Sequence, residues 1–257
     1  MPVSGAVRRG HPAQVLQLGH GMVNQPVSGD SAHSIVLSPR KVLAIIVVTS
    51  LLLVAIGWLF EVLSVMPGVL PIPRMISRRL SLGAEQTIPA WYSSLLLFVA
   101  ALLLGVIASR ERAGAGGSSS GWVVLAATFL ILSLDESVAI HETIRPTLEK
   151  VGVHTQWMFF GAGFVALLAV YLVPWLRSLE RRTRKLFLLS AVLFVGGALG
   201  VETASGFVAR SAGLESIQYI SISALEETLE MLGSCLFIYA LLDYLRSGGS
   251  GIRVQLE

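Results

Sequence analysis

Charged residues and cysteine are both scarce in this 257-residue chain. Only 14% of its residues are charged, and Cys235 is its single cysteine. Soluble domains average about 25% charged residues, so the composition argues against a soluble protein. One cysteine excludes a disulfide framework and a metal site built from several thiolates. The pI is near 9.3, but the basic residues are spread along the chain, so we expect no nucleic-acid partner.

Long apolar runs dominate the chain instead. Hydrophobic residues make up 54% of it, and its mean hydropathy is +0.73. An apolar run of about 20 residues is long enough to cross a bilayer as a helix. Six such runs occur, over residues 42–63, 90–109, 122–142, 157–176, 186–208 and 220–244. We therefore predict an all-α bundle of six transmembrane helices, with the lipid bilayer as its surroundings.

The ends of the chain differ from this middle part. Residues 1–40 are rich in Gly, Pro, Ser and His and show no hydrophobic period, which is typical of a disordered segment. We predict a disordered cytoplasmic tail over 1–40, the transmembrane domain over 41–246, and a short cytoplasmic tail over 247–257.

The distribution of basic residues predicts the orientation. Six crossings place both termini on one side of the membrane, and thirteen of the nineteen Lys and Arg residues fall on that side. The positive-inside rule therefore predicts cytoplasmic termini in the inner (plasma) membrane. Tryptophan favours membrane interfaces, and the five tryptophans lie near run ends: Trp122 and Trp175 at inner ends, Trp58, Trp91 and Trp157 at outer ends.

Acidic residues concentrate in the opposite, outer half. At about 1.5 Å per residue, the acids of the third, fifth and sixth runs fall at similar depths. These acids are Asp135, Glu136, Glu202, Glu226, Glu227 and Glu230. An ionised carboxylate near a helix centre costs about 2.5–3.5 kcal/mol on insertion scales. Lys and Arg occur only at run ends, so we expect protons, a bound cation, an inward-reaching Arg145 or Arg210, or water to compensate.

Helical angles separate the residues of the third run. Asp135 and Glu142 are seven apart and share one face of a straight helix, while Glu136 and His141 flank that face on opposite sides. We therefore expect the Asp135–Glu142 line to face the sixth helix, with His141 at the rim of the site.

The leading hypothesis is a membrane metalloenzyme of hydrolase type. Oxygen ligands with one imidazole suit Zn, Mn or Fe. A metal-bound water with a carboxylate base would act on a small-molecule or lipid substrate. The expected metal ligands are His141, Glu142, Glu226 and Glu230. Asp135 and Glu202 would orient them, and Glu136 or Glu227 would be the base.

Two other hypotheses remain open for this sequence. A proton- or cation-coupled transporter would use these carboxylates as an ion pathway, although the cytoplasmic half shows no polar track and no inverted repeat or unwound helix is visible. The protein would otherwise be a non-catalytic subunit of a membrane complex. Taken singly, each of four glutamates is expected at the surface: Glu61, Glu85, Glu142 and Glu215. Cys235 is expected in the core.

Three segments carry a family resemblance. "IPAWYSSLLL" (88–97), "FLILSLDESVAIHE" (129–142) and "ALEETLEMLG" (224–233) resemble an uncharacterised family of bacterial multi-pass membrane proteins over about residues 85–245. The resemblance implies that these segments belong together, and implies no activity. The alkaline-ceramidase-like membrane hydrolases are similar only in architecture, because this sequence lacks the three histidines and serine of their zinc site.

Overall fold

A computed structural model describes residues 35–36, 38–66, 74–113, 119–140, 157–248 and 253–254. The statements below concern those residues. The disorder expected for residues 1–34 lies outside them. Two of the expected metal ligands, His141 and Glu142, also lie outside them.

The described part of the chain is almost entirely helical. The helices are α1 (Pro39–Val65), α2 (Arg74–Leu80), α3 (Ile88–Ala113), α4 (Ser120–Val138), α5 (Trp157–Ser178), α6 (Arg181–Val195), a π-helix (Gly196–Val201), α7 (Glu202–Ala212) and α8 (Ile217–Ser247). Six spans are long and apolar enough to cross a membrane: α1, α3, α4, most of α5, the continuous α6–π–α7 helix, and α8. The predicted all-α bundle with six such helices is confirmed.

Two short strands join the ends of the bundle. β1 (Ile35–Val36) pairs antiparallel with β2 (Arg253–Val254). The pairing places the segment before α1 beside the segment after α8, as an even number of crossings requires. The tail predicted to extend to residue 40 therefore contains β1, and α1 begins at Pro39, because proline suits the first turn of a helix. We call this end of the bundle the termini end.

α8 is the central helix and packs against α1, α3, α6, the π-helix and α7. Its side chains Met231, Cys235 and Leu241 are fully buried. The Sγ of Cys235 lies 3.5 Å from the Oγ of Ser50 in α1, so this cysteine has the core position that was expected.

Aromatic side chains close the termini end. Trp122 and Trp175 meet edge to face with their ring centroids 4.8 Å apart, and Phe187 and Tyr244 pack against Trp122. The Tyr244 hydroxyl donates to Oε1 of Glu111 at 2.8 Å. Trp122 is only 2% exposed. Trp122 and Trp175 lie near helix ends, as expected, and their rings serve internal packing there.

The outer surface of the bundle is apolar. On α5, Leu167 and Val170 are each 74% exposed, and α1 exposes Ile45 and Leu52 in the same way. Lipid chains can cover such side chains without the hydration cost that water would impose. The chain is therefore an integral membrane protein with several membrane-spanning helices.

Candidate carboxylate site

Three glutamates of α8 form one wall of the candidate site. Glu226, Glu227 and Glu230 lie in the half of α8 away from the termini end, and all three are half-buried. Positions 226, 227 and 230 fall within about 100° of a helical wheel. They therefore share one side of the central helix, as the sequence predicted.

The π-helix packs directly against this wall. A Cβ placed on Gly197 would lie 2.9 Å from Cγ of Glu230 and 3.0 Å from the backbone oxygen of Glu226. Only glycine allows the two backbones to approach so closely. A Cβ placed on Gly196 or Gly200 would have nothing within 4 Å. Of these three glycines, only Gly197 makes the expected close approach to α8.

α7 adds Glu202 to the site. Glu202 follows the π-helix directly and interacts electrostatically with Glu226 and Glu230. The Ser205 hydroxyl donates to the backbone oxygen of Glu202 at 2.8 Å and lies within hydrogen-bonding reach of the Glu226 side chain. Ser205 of α7 thus links that helix to the Glu226 carboxylate of α8.

α4 contributes Glu136. Its side chain interacts electrostatically with Glu227 and Glu230 of α8. Asp135 is also half-buried, and its backbone oxygen accepts the N–H of Ala139 at 2.7 Å. Neighbouring positions differ by 100° around a helix, so residues 135 and 136 leave α4 in different directions.

The end of α4 changes one sequence argument. The helix ends at Val138, and Ala139 has the left-handed backbone angles φ 56° and ψ 48°. Left-handed residues do not continue a right-handed helix. The predicted straight helix is therefore interrupted at Ala139, and the shared face of Asp135 and Glu142 stays a prediction. The placement of His141 and Glu142 lies outside the described residues.

Two further carboxylates, which the sequence analysis had assigned to the surface, belong to the site. Oε1 of Glu61, near the end of α1, accepts the Ser81 hydroxyl and, at 3.3 Å, the Leu82 N–H. Glu61 and Glu85 both interact electrostatically with Glu227. Counting residues along the first helix, as was done for three of the other helices, would have placed Glu61 at the depth of the other acids. Glu85 belongs to the segment between α2 and α3. No pattern in the sequence predicts the path of that segment.

That segment, residues 81–87, is packed into the bundle. A Cβ on Gly83 would lie 2.7 Å from the Oγ of Ser223 in α8. Beside it, Nε1 of Trp58 donates to the Oγ of Ser221 at 3.1 Å. These contacts hold the ends of α1 and α8 together with the segment that carries Glu85.

Seven carboxylates from five segments therefore interact at this end of the bundle. We call them the acidic cluster: Glu61, Glu85, Glu136, Glu202, Glu226, Glu227 and Glu230. Like charges repel more strongly in a partly desolvated site than in water. Protons, a cation or basic side chains can reduce that repulsion.

The described residues do not form a metal site by themselves. They contain no group of three or more His, Cys, Asp or Glu side chains that could hold a metal ion. Of the four expected ligands, Glu226 and Glu230 are described, and both belong to the acidic cluster. The other two expected ligands, His141 and Glu142, lie outside the described residues.

The fold and the site together define a multi-pass helical membrane protein with an acidic cluster at one end. The chain belongs to the family described as "Domain of unknown function (DUF8692)", which matches residues 42–245. The expected resemblance to an uncharacterised family is confirmed, and the match extends it through the first membrane-spanning helix. No curated protein and no solved structure is similar enough to the chain to count as a match.

Proposed function

We propose that the acidic cluster binds a cation and that the protein is a membrane metalloenzyme of hydrolase type. The observation that supports this proposal is the convergence of seven carboxylates at one end of the bundle. Clustered carboxylates favour a bound cation, because each of them is stabilised by a nearby positive charge.

The closed termini end favours an enzyme over a pathway through the membrane. Below the cluster, the stacked rings of Phe129 and Phe237 have centroids 4.6 Å apart, and Phe187 packs against Phe237. Trp122 and Trp175 complete the packing. This aromatic packing supports chemistry at the face of the membrane that adjoins the cluster.

The proposed metal is Zn, Mn or Fe, held by Glu226 and Glu230 together with His141 and Glu142. One imidazole with carboxylate oxygens suits these metals. Such a metal would supply a bound water of lowered pKa, and Glu136 or Glu227 would be the general base. Asp135 and Glu202 would orient the ligands. The proposed substrate is a lipid or a small molecule that reaches the cluster from its own side of the membrane.

We further propose that the cluster faces outward and that the termini are cytoplasmic in the plasma membrane. The excess of basic residues on the side of the termini supports this orientation. The pairing of β1 with β2 supports the placement of both termini on one side.

Metal analysis of the purified protein tests the enzyme proposal. We expect about one metal ion per chain in protein prepared without chelators, and loss of that metal in His141→Ala and in Glu230→Gln. Glu215→Gln is the matched control, because Glu215 is exposed and lies outside the acidic cluster. Wild-type protein without stoichiometric metal would overturn the proposal.

A proton- or cation-coupled transporter is the second candidate, and the π-helix favours it. π-Helical turns are frequent at functional sites, and transporters use irregular helices beside their ion sites. The π-helix Gly196–Val201 lies directly before Glu202 and against Glu230. This candidate predicts pH-dependent ion flux in liposomes that is lost in Asp135→Asn and Glu227→Gln and retained in Glu215→Gln. No flux in wild type would exclude it.

A further inference from the structure

The short helix α2 has an exposed surface that combines two arginines with two apolar side chains. It lies between the first two membrane-spanning helices, at the end of the bundle that carries the acidic cluster. Met75 is 74% exposed and Ile76 is 41% exposed. Arg78 and Arg79 are exposed as well. On a helical wheel these four residues share one side, which we call the α2 face.

The opposite side of α2 is fixed to the bundle. A Cβ on Gly57 of α1 would lie only 2.7 Å from the backbone oxygen of Leu80, the last residue of α2. Leu82 follows two residues later and is 2% exposed. Leu82 also donates its N–H to Glu61, one turn along α1 from Gly57. α2 therefore holds a defined position beside the end of a membrane-spanning helix.

The two arginines of the α2 face have no partner in the described part of the chain. Among the described residues, none forms an ion pair or hydrogen bond with Arg78 or Arg79. By contrast, Arg182 at the termini end pairs with Asp243 at 2.9 Å. The exposed guanidinium groups of α2 are therefore available to an anion outside the protein.

The location of α2 indicates which anion that is. A helix at the end of a membrane-spanning segment lies at the level of the lipid headgroups, and a face with arginine beside apolar side chains suits that interface. Guanidinium groups bind phosphate oxygens in a bidentate manner. Met75 and Ile76 would enter the boundary between headgroups and acyl chains.

We propose that the α2 face binds the phosphate headgroups of anionic phospholipids in the leaflet that adjoins the acidic cluster. This inference is independent of the proposed enzyme activity. It depends on the exposed pair Arg78 and Arg79, on the apolar pair Met75 and Ile76, and on the position of α2 against α1.

Energy transfer from tryptophan to labelled lipid in nanodiscs tests the proposal. The probe is dansyl-labelled phosphatidylglycerol, compared with dansyl-labelled phosphatidylcholine in discs of mixed, otherwise identical composition. Trp58 follows Gly57, which packs against the last residue of α2, so it is the intended donor to lipid bound at the α2 face. We expect wild type to prefer the anionic lipid, and the preference to fall roughly fivefold per arginine removed in Arg78→Gln and Arg79→Gln.

Two further variants make the result specific. Arg210→Gln removes an exposed charge from α7, so it should leave the preference unchanged. Met75→Ser combined with Ile76→Ser should weaken transfer to both lipids alike. An anionic preference that is absent in wild type, that persists in the combined Arg78→Gln and Arg79→Gln variant, or that falls equally in Arg210→Gln would overturn the proposal. Competition by excess inorganic phosphate would also overturn it, because it would identify a site for the free ion.

Discussion

Gly197 of the π-helix and Glu230 of α8 are in direct contact. A Cβ on Gly197 would lie 2.9 Å from Cγ of Glu230 and 3.2 Å from Cβ of Leu229. This contact brings the fifth membrane-spanning helix against the central helix at the depth of the acidic cluster. It also fixes the point from which Glu202 continues into α7.

Gly197→Ala should therefore disturb the acidic cluster. The added methyl group meets the backbone oxygen of Glu226 as well as the Glu230 side chain, and overpacking of this kind costs about 1–3 kcal/mol. Thermal unfolding in detergent should show a lower Tm, together with weaker cation binding. Gly196→Ala and Gly200→Ala are controls with open space around the added group, and they should unfold near the wild-type temperature. An unchanged Tm in Gly197→Ala would show that the two helices separate without cost.

Gly121→Ala should destabilise the termini end. A Cβ on Gly121 would overlap the ring of Trp175, which is held edge to face against Trp122. We expect a loss of about 1–3 kcal/mol and a shift in tryptophan emission as the Trp175 ring moves. Gly105→Ala is the control, because nothing lies within 4 Å of that position. Equal Tm values for Gly121→Ala and Gly105→Ala would contradict the packing described for Trp175.

Glu227→Gln should stabilise chelator-treated protein at alkaline pH, where the carboxylates of the cluster are ionised. An ionised Glu227 repels the other carboxylates of the cluster, which include Glu136 and Glu226, and glutamine cannot carry that charge. The expected gain is on the order of 1 kcal/mol, measured as a rise in Tm. The control Glu215→Gln changes an exposed residue outside the cluster and should have an effect of less than about 0.5 kcal/mol. A lower Tm for Glu227→Gln without cations would argue against repulsion within the cluster.

Cysteine labelling should establish the proposed orientation. The native Cys235 is fully buried, so it gives little background. With a membrane-impermeant maleimide, we expect Glu215→Cys to react in intact cells and Ser247→Cys to react only after permeabilisation. Both positions are exposed; Glu215 lies two residues before α8 and Ser247 is its last residue. The reverse pattern would place the acidic cluster on the cytoplasmic side.

The acidic cluster shows how far sequence arguments reach. Counting residues along each helix placed Glu202 and Glu230 in one layer, and the structure brings them together. The same arguments placed Glu61 and Glu85 at the surface, because each was considered alone. The hydrogen bonds of Glu61 to Ser81 and Leu82, and the position of Glu85, depend on how residues 81–87 return into the bundle. No periodic pattern predicts that path.

The two tryptophans of the termini end show a related difference. The sequence correctly placed Trp122 and Trp175 near helix ends, where tryptophan often meets the membrane interface. Their burial follows from Gly121, which leaves room for the Trp175 ring, and from Phe187 and Tyr244 on other helices. A preference averaged over many proteins does not specify which neighbours a side chain meets.

The sequence by itself determined the number of membrane-spanning helices, their approximate depths and the face of α8 that carries three glutamates. Those properties depend only on hydrophobicity and helical periodicity, which are local. Only the tertiary structure decided that Glu61 and Glu85 interact with Glu227, that α4 ends at Val138, and that Gly197 permits the close approach of the π-helix. Those features depend on helix rotation, on irregular backbone geometry and on contacts between distant segments. None of these leaves a periodic pattern in a single sequence.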